Sequence, residues 1–506
     1  MTVTTQGSAQ PPSWRRGELA TLAIHRLASR LLIKRQHGRA MARPRSFPGQ
    51  EERLMCGRRK LLGRSAVVAL SLFAVSGPAG ATTLRDALVA SYLTNPQLEA
   101  GRSQLRQTDE LVPQALSGYR PSLFLNGELT GERAKVRQGE DFDQNRFTRG
   151  VNLTLRQNLY AGGGTQAEVS RAENQVRAER ARLYAQEQQV LLDTVDAYTA
   201  VYRDQSVLDL ALNNEERLQR QLEATRDRFE VGEVARTDVA QAEARLSRAR
   251  ADVEQAKADL ASSRALYQRI IGEAPTQLEE PKILKELPTT EADTRALAAQ
   301  NPDIIAATFD LYAARDNVDV QFSNLLPSLD LQGQLEWAED PTANIERSRG
   351  AAVGLNLSIP LYQGGAEYSR VRQSRQQVRQ SRDQLETAHR SVQELVTSSW
   401  ERLLAATSAI DAFQAEVRAN QIALEGVQQE ALVGARTVLD VLDAEQELFT
   451  SQVNLVRAEA IEVLASYQLK LAVGQLTVEG LKLPIQPFDA EAYYDRNRSR
   501  LFGVSD

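Results

Sequence analysis

The sequence contains an internal duplication, and this feature restricts the possible folds more than any other. Short phrases recur in the same order, each 202 or 206 residues further along the chain. They are Asn95-Pro96 and Asn301-Pro302, Pro121-Ser122-Leu123 and Pro327-Ser328-Leu329, Leu159-Tyr160 and Leu361-Tyr362, Val231-Gly232 and Val433-Gly434, and Asp238 and Asp440. We therefore predict two structural repeats, at 82–285 and 286–482, followed by a C-terminal tail at 483–506.

Residues 1–81 have the pattern of a presegment that ends in a secretory signal peptide. A basic cluster at 58–60 precedes an apolar run at 66–75, and a small-residue site, Ala79-Gly80-Ala81, follows. The apolar run is too short to span a bilayer, so we expect an exported protein cleaved after Ala81. An N-terminal membrane anchor is the alternative reading.

The composition of residues 82–506 excludes several kinds of site. The presegment carries 14 of the 61 Lys and Arg residues and 3 of the 66 Asp and Glu residues, so the remainder has a formal net charge of −16. It also contains Cys56, which leaves no thiol for disulfides or cysteine metal sites. His389 alone cannot build a zinc site or a histidine relay. An acidic exported chain is also a poor ligand for nucleic acid.

Two long stretches without proline, 122–274 and 361–483, predict unusually long helices. A helix over 165–229 would be about 97 Å long. The segment that follows it has apolar residues every seven positions, at Val239, Leu246, Val253, Leu260 and Tyr267, and small residues three positions after most of them. A sustained heptad repeat indicates coiled-coil packing. One further helix is expected at the start of each repeat, over 84–116 and 290–325.

Two segments in each repeat alternate between apolar and polar residues and predict β-strands. They lie at 122–130, 151–159, 328–337 and 353–361, with polar loops expected at 131–147 and 339–350. Segments of about ten residues with one apolar face suit a transmembrane β-barrel. Four strands cannot close such a barrel, and an open edge in lipid would leave backbone groups unpaired. The barrel must therefore be shared between chains, and a polar lumen favours three chains over two.

The combination of these motifs closely resembles the TolC family of outer-membrane efflux and secretion channels. The resemblance rests on LTNPQLEA (93–100), YRPSL (119–123), RFEVGEVARTDVAQAEARL (228–246), LSIPLYQGG (357–365), LETAHRSV (385–392) and VGARTVLDVLDAEQEL (433–448). It implies an α+β membrane protein, a homotrimer in which long α-helical hairpins form a periplasmic α-barrel continuous with a 12-stranded transmembrane β-barrel in outer-membrane lipid. It also implies no catalysis and no cofactor: an inner-membrane pump of the ABC or RND type, linked by a periplasmic adaptor, drives the substrates through.

The resemblance places the two VG turns, Val231-Gly232 and Val433-Gly434, at the periplasmic tips of the hairpins, where the adaptor binds. Glycine supplies the backbone freedom of a tight reversal. Asp440 and Asp443 are three residues apart and share a helix face. In a trimer that face would set six carboxylates at the entrance, a ring that selects cations and can bind a multivalent one. The macrodipole of a helix N-terminus is the alternative reason for these acids.

Arg436 matches the family arginine that ties the second hairpin tip to its neighbours. The matching partners in this sequence are Thr237 and Asp238 of the first hairpin, and a charge-assisted link between them would hold the entrance closed. The sequence departs from the family type at Ala431, where a tyrosine is expected. Arg236 is the residue available to replace the hydrogen bond from that tyrosine to Asp238.

Two other functional classes are weighed against an export duct. A soluble periplasmic coiled-coil adaptor or structural rod would explain the helices but not the strands. An enzyme has no support, since the glycine run at 162–164 lacks the lysine and hydroxyl residue of a phosphate-binding loop. The tail resembles members that serve type I protein secretion more than drug-efflux members.

Overall fold

The structure is a computed structural model that describes residues 82–138, 140–342 and 345–504, apart from the side chains of 134–144. The predicted presegment and signal peptide at 1–81 lie outside the described residues. None of the helices within the described ranges is both long enough and apolar enough to cross a bilayer.

The second half of the described chain repeats the order of elements in the first half. The first half contains α1 (Leu84–Thr94), α2 (Pro96–Asp109), α3 (Leu111–Leu116), a 3-10 turn (Ser117–Tyr119), β1 (Ser122–Gln138), β2 (Glu140–Ala161), α4 (Gly164–Glu230) and α5 (Arg236–Ile271). The second half contains α6 (Glu291–Ala298), α7 (Pro302–Ser323), β3 (Ser328–Thr342), β4 (Ile345–Ser358), α8 (Ala366–Leu432), α9 (Val438–Ala472) and, in the tail, α10 (Ala492–Asn497).

Two helical hairpins dominate the fold, and we call α4 with α5 the first hairpin and α8 with α9 the second hairpin. The long helices α4 and α8 have 67 residues each, which corresponds to about 100 Å. The heptad prediction for α5 is confirmed, because Leu246, Val253, Leu260 and Tyr267 are all buried. The small residues on the same seam, such as Ala249, are buried with them, which lets the helices approach closely.

The helices pack side by side in the order α5, α4, α9, α8. Near the hairpin tips, Val438 and Leu442 of α9 join Leu218 and Leu222 of α4 in one apolar cluster with Leu246 of α5. The return helix of the second hairpin is therefore held by the first hairpin. In contrast, α8 packs on α9 and α7 and lies at the edge of the group.

The single helices expected at 84–116 and 290–325 are wrong, because both are broken at an Asn-Pro pair. The residue before a proline is disfavoured in helical conformation, and the asparagine instead caps the next helix with its side-chain oxygen. The same side chain reaches the end of a return helix. Asn95 Nδ2 donates to Ile270 O (3.0 Å), and Asn301 Nδ2 donates to Ala472 O (3.1 Å).

An apolar core lies beside the first of these joints, where α1 packs on the first hairpin and residues of α9 and of the start of the tail join the cluster. Its fully buried members include Leu88, Leu191, Tyr198, Ile271 and Leu476. The Tyr198 hydroxyl lies 2.8 Å from one backbone carbonyl oxygen and 2.7 Å from another, which satisfies its polar end inside the core.

The strands form one antiparallel sheet in the order β1-β2-β3-β4. Its outer strands β1 and β4 are free along one edge within the described residues. One face of the sheet carries exposed apolar side chains: Leu123, Leu125 and Leu129 on β1 and Val353, Leu355 and Leu357 on β4. A bulge between Asn158 and Tyr160 places Tyr160 opposite Leu329, and hence on the apolar face.

The polar loops expected at 131–147 and 339–350 are largely strand. The ladder between β1 and β2 continues without a break from the Ser122–Arg156 pair to the Gln138–Glu140 pair. Backbone pairing does not require apolar side chains, and the ion pair between Glu132 and Arg146 lies across this polar extension. Polar composition therefore misplaced the loop, since β1 continues to Gln138 and β2 begins at Glu140.

Candidate functional site at the hairpin tips

Each hairpin reverses at a valine-glycine pair with the same backbone geometry. Gly232 has φ = 82° and Gly434 has φ = 74°, a left-handed conformation that favours glycine. The amide after each glycine closes the turn on the last residues of the preceding helix: Glu233 N–H donates to Arg228 O, and Ala435 N–H donates to Glu430 O. The turns are thus Schellman-like caps of α4 and α8.

The valines of these turns point into solvent. Val231 is 72% exposed and Val433 is 80% exposed, and Leu432 beside Val433 is exposed as well. Each hairpin therefore ends in apolar side chains that the described protein atoms leave uncovered.

Asp440 caps the first turn of α9. Its Oδ2 accepts hydrogen bonds from Thr437 N–H (2.9 Å) and from the Thr437 hydroxyl (2.8 Å). In return, Asp440 N–H donates to Thr437 Oγ1 at 3.3 Å, which completes a capping box. These hydrogen bonds lower the pKa of Asp440, and nearby Arg436 lowers it further. Asp440 is therefore ionised, whether it only caps the helix or also belongs to a ring of carboxylates.

Asp443 is paired across the two hairpins. Its Oδ1 accepts a charge-assisted hydrogen bond from Arg245 of α5. Both side chains remain partly exposed, so the pair is a weak link between the hairpins. Sequence reasoning missed Arg245. It lies seven residues after Asp238 on the same helix face, and only the packing of α5 near α9 identifies it as a partner.

Within a single chain, Arg436 pairs with a residue of its own hairpin. Its Nε donates to Glu430 Oε2 at 2.8 Å, and this hydrogen bond raises the pKa of Arg436. Asp238 accepts a hydrogen bond from Ala235 N–H (2.9 Å), and Thr237 is exposed beside it. The predicted link from Arg436 to Thr237 and Asp238 is therefore not formed within one chain.

Arg236 and Ala431 occupy different settings. Arg236 is exposed at the first position of α5. Ala431 packs against the apolar cluster of Leu424, Val441 and Leu448 between α8 and α9. A small apolar side chain at 431 thus belongs to the packing of the second hairpin.

A second residue that sequence reasoning missed, Glu445, is buried between the hairpins and is only 4% exposed. Burial raises its pKa, and the charges of Arg217 and Arg220 on α4 lower it. Its Oε2 accepts no hydrogen bond from the described protein atoms. The signal was available, because Glu445 shares the helix face of Val438, Val441 and Leu448. A carboxylate on an otherwise apolar seam weakens the packing of one hairpin on the other.

The described residues contain no group of three or more His, Asp or Glu side chains arranged to hold a metal ion. The tips instead present fixed carboxylates, one engaged in a helix cap and one in an ion pair. This arrangement can bind ions electrostatically and can hold or release the contact between two hairpins.

Comparison with known proteins agrees with this architecture. A profile of the outer membrane efflux protein family matches residues 88–273 and 294–475. The outer membrane efflux protein BepC of Brucella suis biovar 1 (strain 1330) is 35% identical over 444 residues, which cover 87% of this chain and 96% of BepC. The outer membrane protein TolC of Vibrio cholerae serotype O1 is 29% identical over 420 residues, with 81% and 94% covered.

Solved structures show the same fold. The outer-membrane channel OprN superposes with a TM-score of 0.70 at 21% identity, covering 77% of this chain and 89% of that channel. The predicted fold class is confirmed by this likeness, by the long hairpins and by the four-stranded sheet. The chain therefore belongs to the family of TolC-like outer membrane efflux proteins.

Proposed function

We propose that three copies of this chain assemble into a passive duct through the outer membrane, which an adaptor opens by moving the hairpin tips. The observation that carries the proposal is the four-stranded sheet with two free edges and one exposed apolar face. Pairing of β1 with β4 of the next copy would remove every edge, as lipid requires. Three copies would supply twelve strands, enough to enclose a polar lumen.

The helices support the same assembly. The exposed members of the helix order are α5 at one edge and α8 at the other. Placing α8 of one copy against α5 of the next would close a ring of helices below the ring of strands. A soluble coiled-coil adaptor or rod would leave the apolar face of the sheet without a role.

At the entrance, Asp440 and Asp443 of three copies would bring six carboxylates together. Arg245 offsets the charge of Asp443, so cation selectivity would depend mainly on Asp440. The closed state would be held by the Arg245–Asp443 pair within each chain and by Arg436 reaching Thr237 and Asp238 of a neighbouring copy, with Arg236 beside them. Because each of these links is exposed, an adaptor could break them.

The exposed turn residues Val231, Gly232, Val433 and Gly434 would contact a periplasmic adaptor. The adaptor would in turn connect the duct to an inner-membrane pump of the ABC or RND type. Substrates would pass from the periplasm or the pump to the exterior, and the tail's likeness to type I secretion members favours proteins as cargo. No cofactor and no nucleic acid enters this scheme.

Disulfide cross-linking tests the assembly. In a Cys56→Ser background, Asn126→Cys on β1 combined with a series of cysteines at 350–356 on β4 should yield a covalent trimer at one register. The matched control uses Asn152→Cys on β2 in place of Asn126→Cys. Because β2 has a paired strand on both sides, this variant should give no cross-link between chains. Absence of any cross-linked trimer across the whole series would contradict the proposed barrel.

A further inference from the structure

The tail runs along the first repeat toward the strands. Successive tail residues contact successive residues of the α1–α3 segment. Phe488 N–H donates to Tyr92 Oη (2.8 Å), Tyr493 Oη donates to Glu110 Oε1 (2.8 Å), and Arg120 Nη1 donates to Arg500 O (3.1 Å). The order of these contacts gives the tail a single direction.

Contacts with α4 fix the same direction. That helix runs from Gly164, beside the strands, toward the tip. The tail meets it first at Arg180, which pairs with Glu491 (2.7 Å), and then at Glu173, which pairs with Arg498 (2.8 Å). Later residues of the tail therefore lie beside residues of α4 that are closer to the sheet.

The tail reaches the level at which β1 begins. Arg120, which holds the carbonyl of Arg500, is two residues before Ser122, where β1 begins. The residues after Arg500 are apolar and exposed: Leu501 is 66% exposed, Phe502 is 89% exposed and Val504 projects fully into solvent. Four residues can extend at most about 14 Å, so these side chains stay at the level where the apolar face of β1 starts.

Aromatic side chains mark that level independently. Tyr119, which precedes β1, and Tyr160, at the end of β2 on the apolar face, are both about half exposed. Gln157 Nε2 donates to Tyr119 O at 3.0 Å, which places the two strand ends together. Membrane-spanning barrels carry aromatic girdles where the apolar band meets water. The apolar residues of the tail thus lie at the expected boundary between lipid and periplasm.

The charge of this part of the tail also suits a lipid surface. Residues 496–506 contain Arg496, Arg498 and Arg500 and one acidic residue, Asp506. Basic residues beside an apolar segment attract anionic phospholipid headgroups.

We propose that residues 501–504 insert into the periplasmic leaflet of the outer membrane and anchor the tail to phospholipid. This inference rests on the proposed function, because it needs the sheet to span that membrane. The anchor would tie the first repeat, through α10 and Arg120, to the bilayer from outside the barrel. It differs from the strands in requiring no backbone pairing, since the inserted segment is short and interfacial.

Site-directed spin labelling of the full chain in vesicles of phosphatidylethanolamine and phosphatidylglycerol tests the anchor. In a Cys56→Ser background, a nitroxide at Phe502→Cys is compared with labels at Leu125→Cys on the apolar face of β1 and at Ala492→Cys lower in the tail. Collision with oxygen reports lipid, and collision with a water-soluble nickel chelate reports solvent. We expect the oxygen-to-nickel ratio at 502 to be several-fold higher than at 492 and close to that at 125.

The outcomes separate the two proposals. A lipid signal at 125 with a solvent signal at 502 would overturn the anchor and leave the duct intact. Poor access of both reagents to 502 would mean that the segment packs on a neighbouring copy, which also overturns the anchor. A solvent signal at 125 would overturn the proposed barrel, and the anchor with it.

Discussion

The first helices of the two hairpins, α4 and α8, hold equivalent places in the two repeats and have very different surroundings. In α4, 22 of 67 residues are buried, whereas in α8 only 8 of 67 are buried. The first hairpin packs against α1–α3, α7 and α9, whereas α8 packs on α6, α7 and α9 and lies at the edge of the helix order. Duplicated sequence thus produces duplicated elements, but the neighbours of each copy decide which faces become core. In the proposed assembly, α8 of one copy is covered by α5 of the next.

The largest expected effect concerns the core of the first hairpin. Leu246 is 4% exposed in the cluster that joins the two hairpins. Leu246→Ala should therefore lower the free energy of unfolding by about 2–5 kcal/mol, visible as a lower melting temperature by circular dichroism. The control is Leu404→Ala, the same substitution at an exposed position of α8. Equal losses in the dissociated protein would remove the proposed difference between the hairpins.

A buried acid distinguishes the first repeat from the second. Asp109 is 2% exposed and neither of its carboxylate oxygens accepts a hydrogen bond from the described protein atoms, whereas the position 206 residues later is Arg315. Burial raises the pKa of Asp109 to about 6, despite the nearby charge of Arg180, which lowers it. The folded state therefore binds a proton more tightly than the unfolded state, and stability falls as pH rises from about 4 to about 6.

Asp109→Asn should remove this fall. We expect the variant to be more stable than the parent by about 1–3 kcal/mol at pH 7.5 and nearly unchanged at pH 4. Melting temperatures across this pH range would measure the difference. The control is Asp495→Asn on the exposed face of α10, which removes the same charge at the surface. A parallel pH dependence in the parent and in Asp109→Asn would contradict the assignment.

The helix caps at the two tips differ by one hydroxyl group. Thr437 and Asp440 form a complete capping box, whereas Ala235 supplies only a backbone N–H to Asp238. Thr437→Ala should cost about 1 kcal/mol, and Ala235→Thr should gain a similar amount or less. Amide hydrogen exchange over 236–240 and 438–442 would show both effects, in opposite directions. Exchange that is unchanged by either substitution would mean that the caps do not control these helix starts.

The smallest expected change in stability is at the link between the hairpins. Arg245→Ala should cost no more than about 1 kcal/mol, because the pair with Asp443 is exposed. The same change should raise open-channel conductance, since it releases one hairpin from the other. Arg436→Ala is also expected to raise conductance, through loss of the link to the neighbouring copy. Combining the two variants asks whether the links act independently.

The sequence predicted the architecture well because it depends on periodic patterns. The heptads of α5, the alternating strands and the turns at Gly232 and Gly434 are local signals. The turns and the heptads were located closely, whereas the strands extend well into the segments expected to be polar loops. The predicted single helices miss the breaks at Asn95 and Asn301, although each residue precedes a proline and is therefore disfavoured in helical conformation.

The pairing of charged side chains could not be predicted in the same way. Asp443 with Arg245, and Arg436 with Glu430, depend on how helices distant in sequence face one another. Several arginines and acids on each helix could have been partners. The burial of Glu445, unlike these pairs, can be predicted from the sequence, because its spacing places it on the apolar face of α9.

Single-channel conductance of the purified protein in planar bilayers tests the central claim most directly. The account predicts a cation-selective channel that is blocked by multivalent cations from the periplasmic side. Asp440→Asn should weaken this block more than Asp443→Asn, because Arg245 already offsets Asp443. A protein that forms no channel and remains entirely in solution would contradict the account.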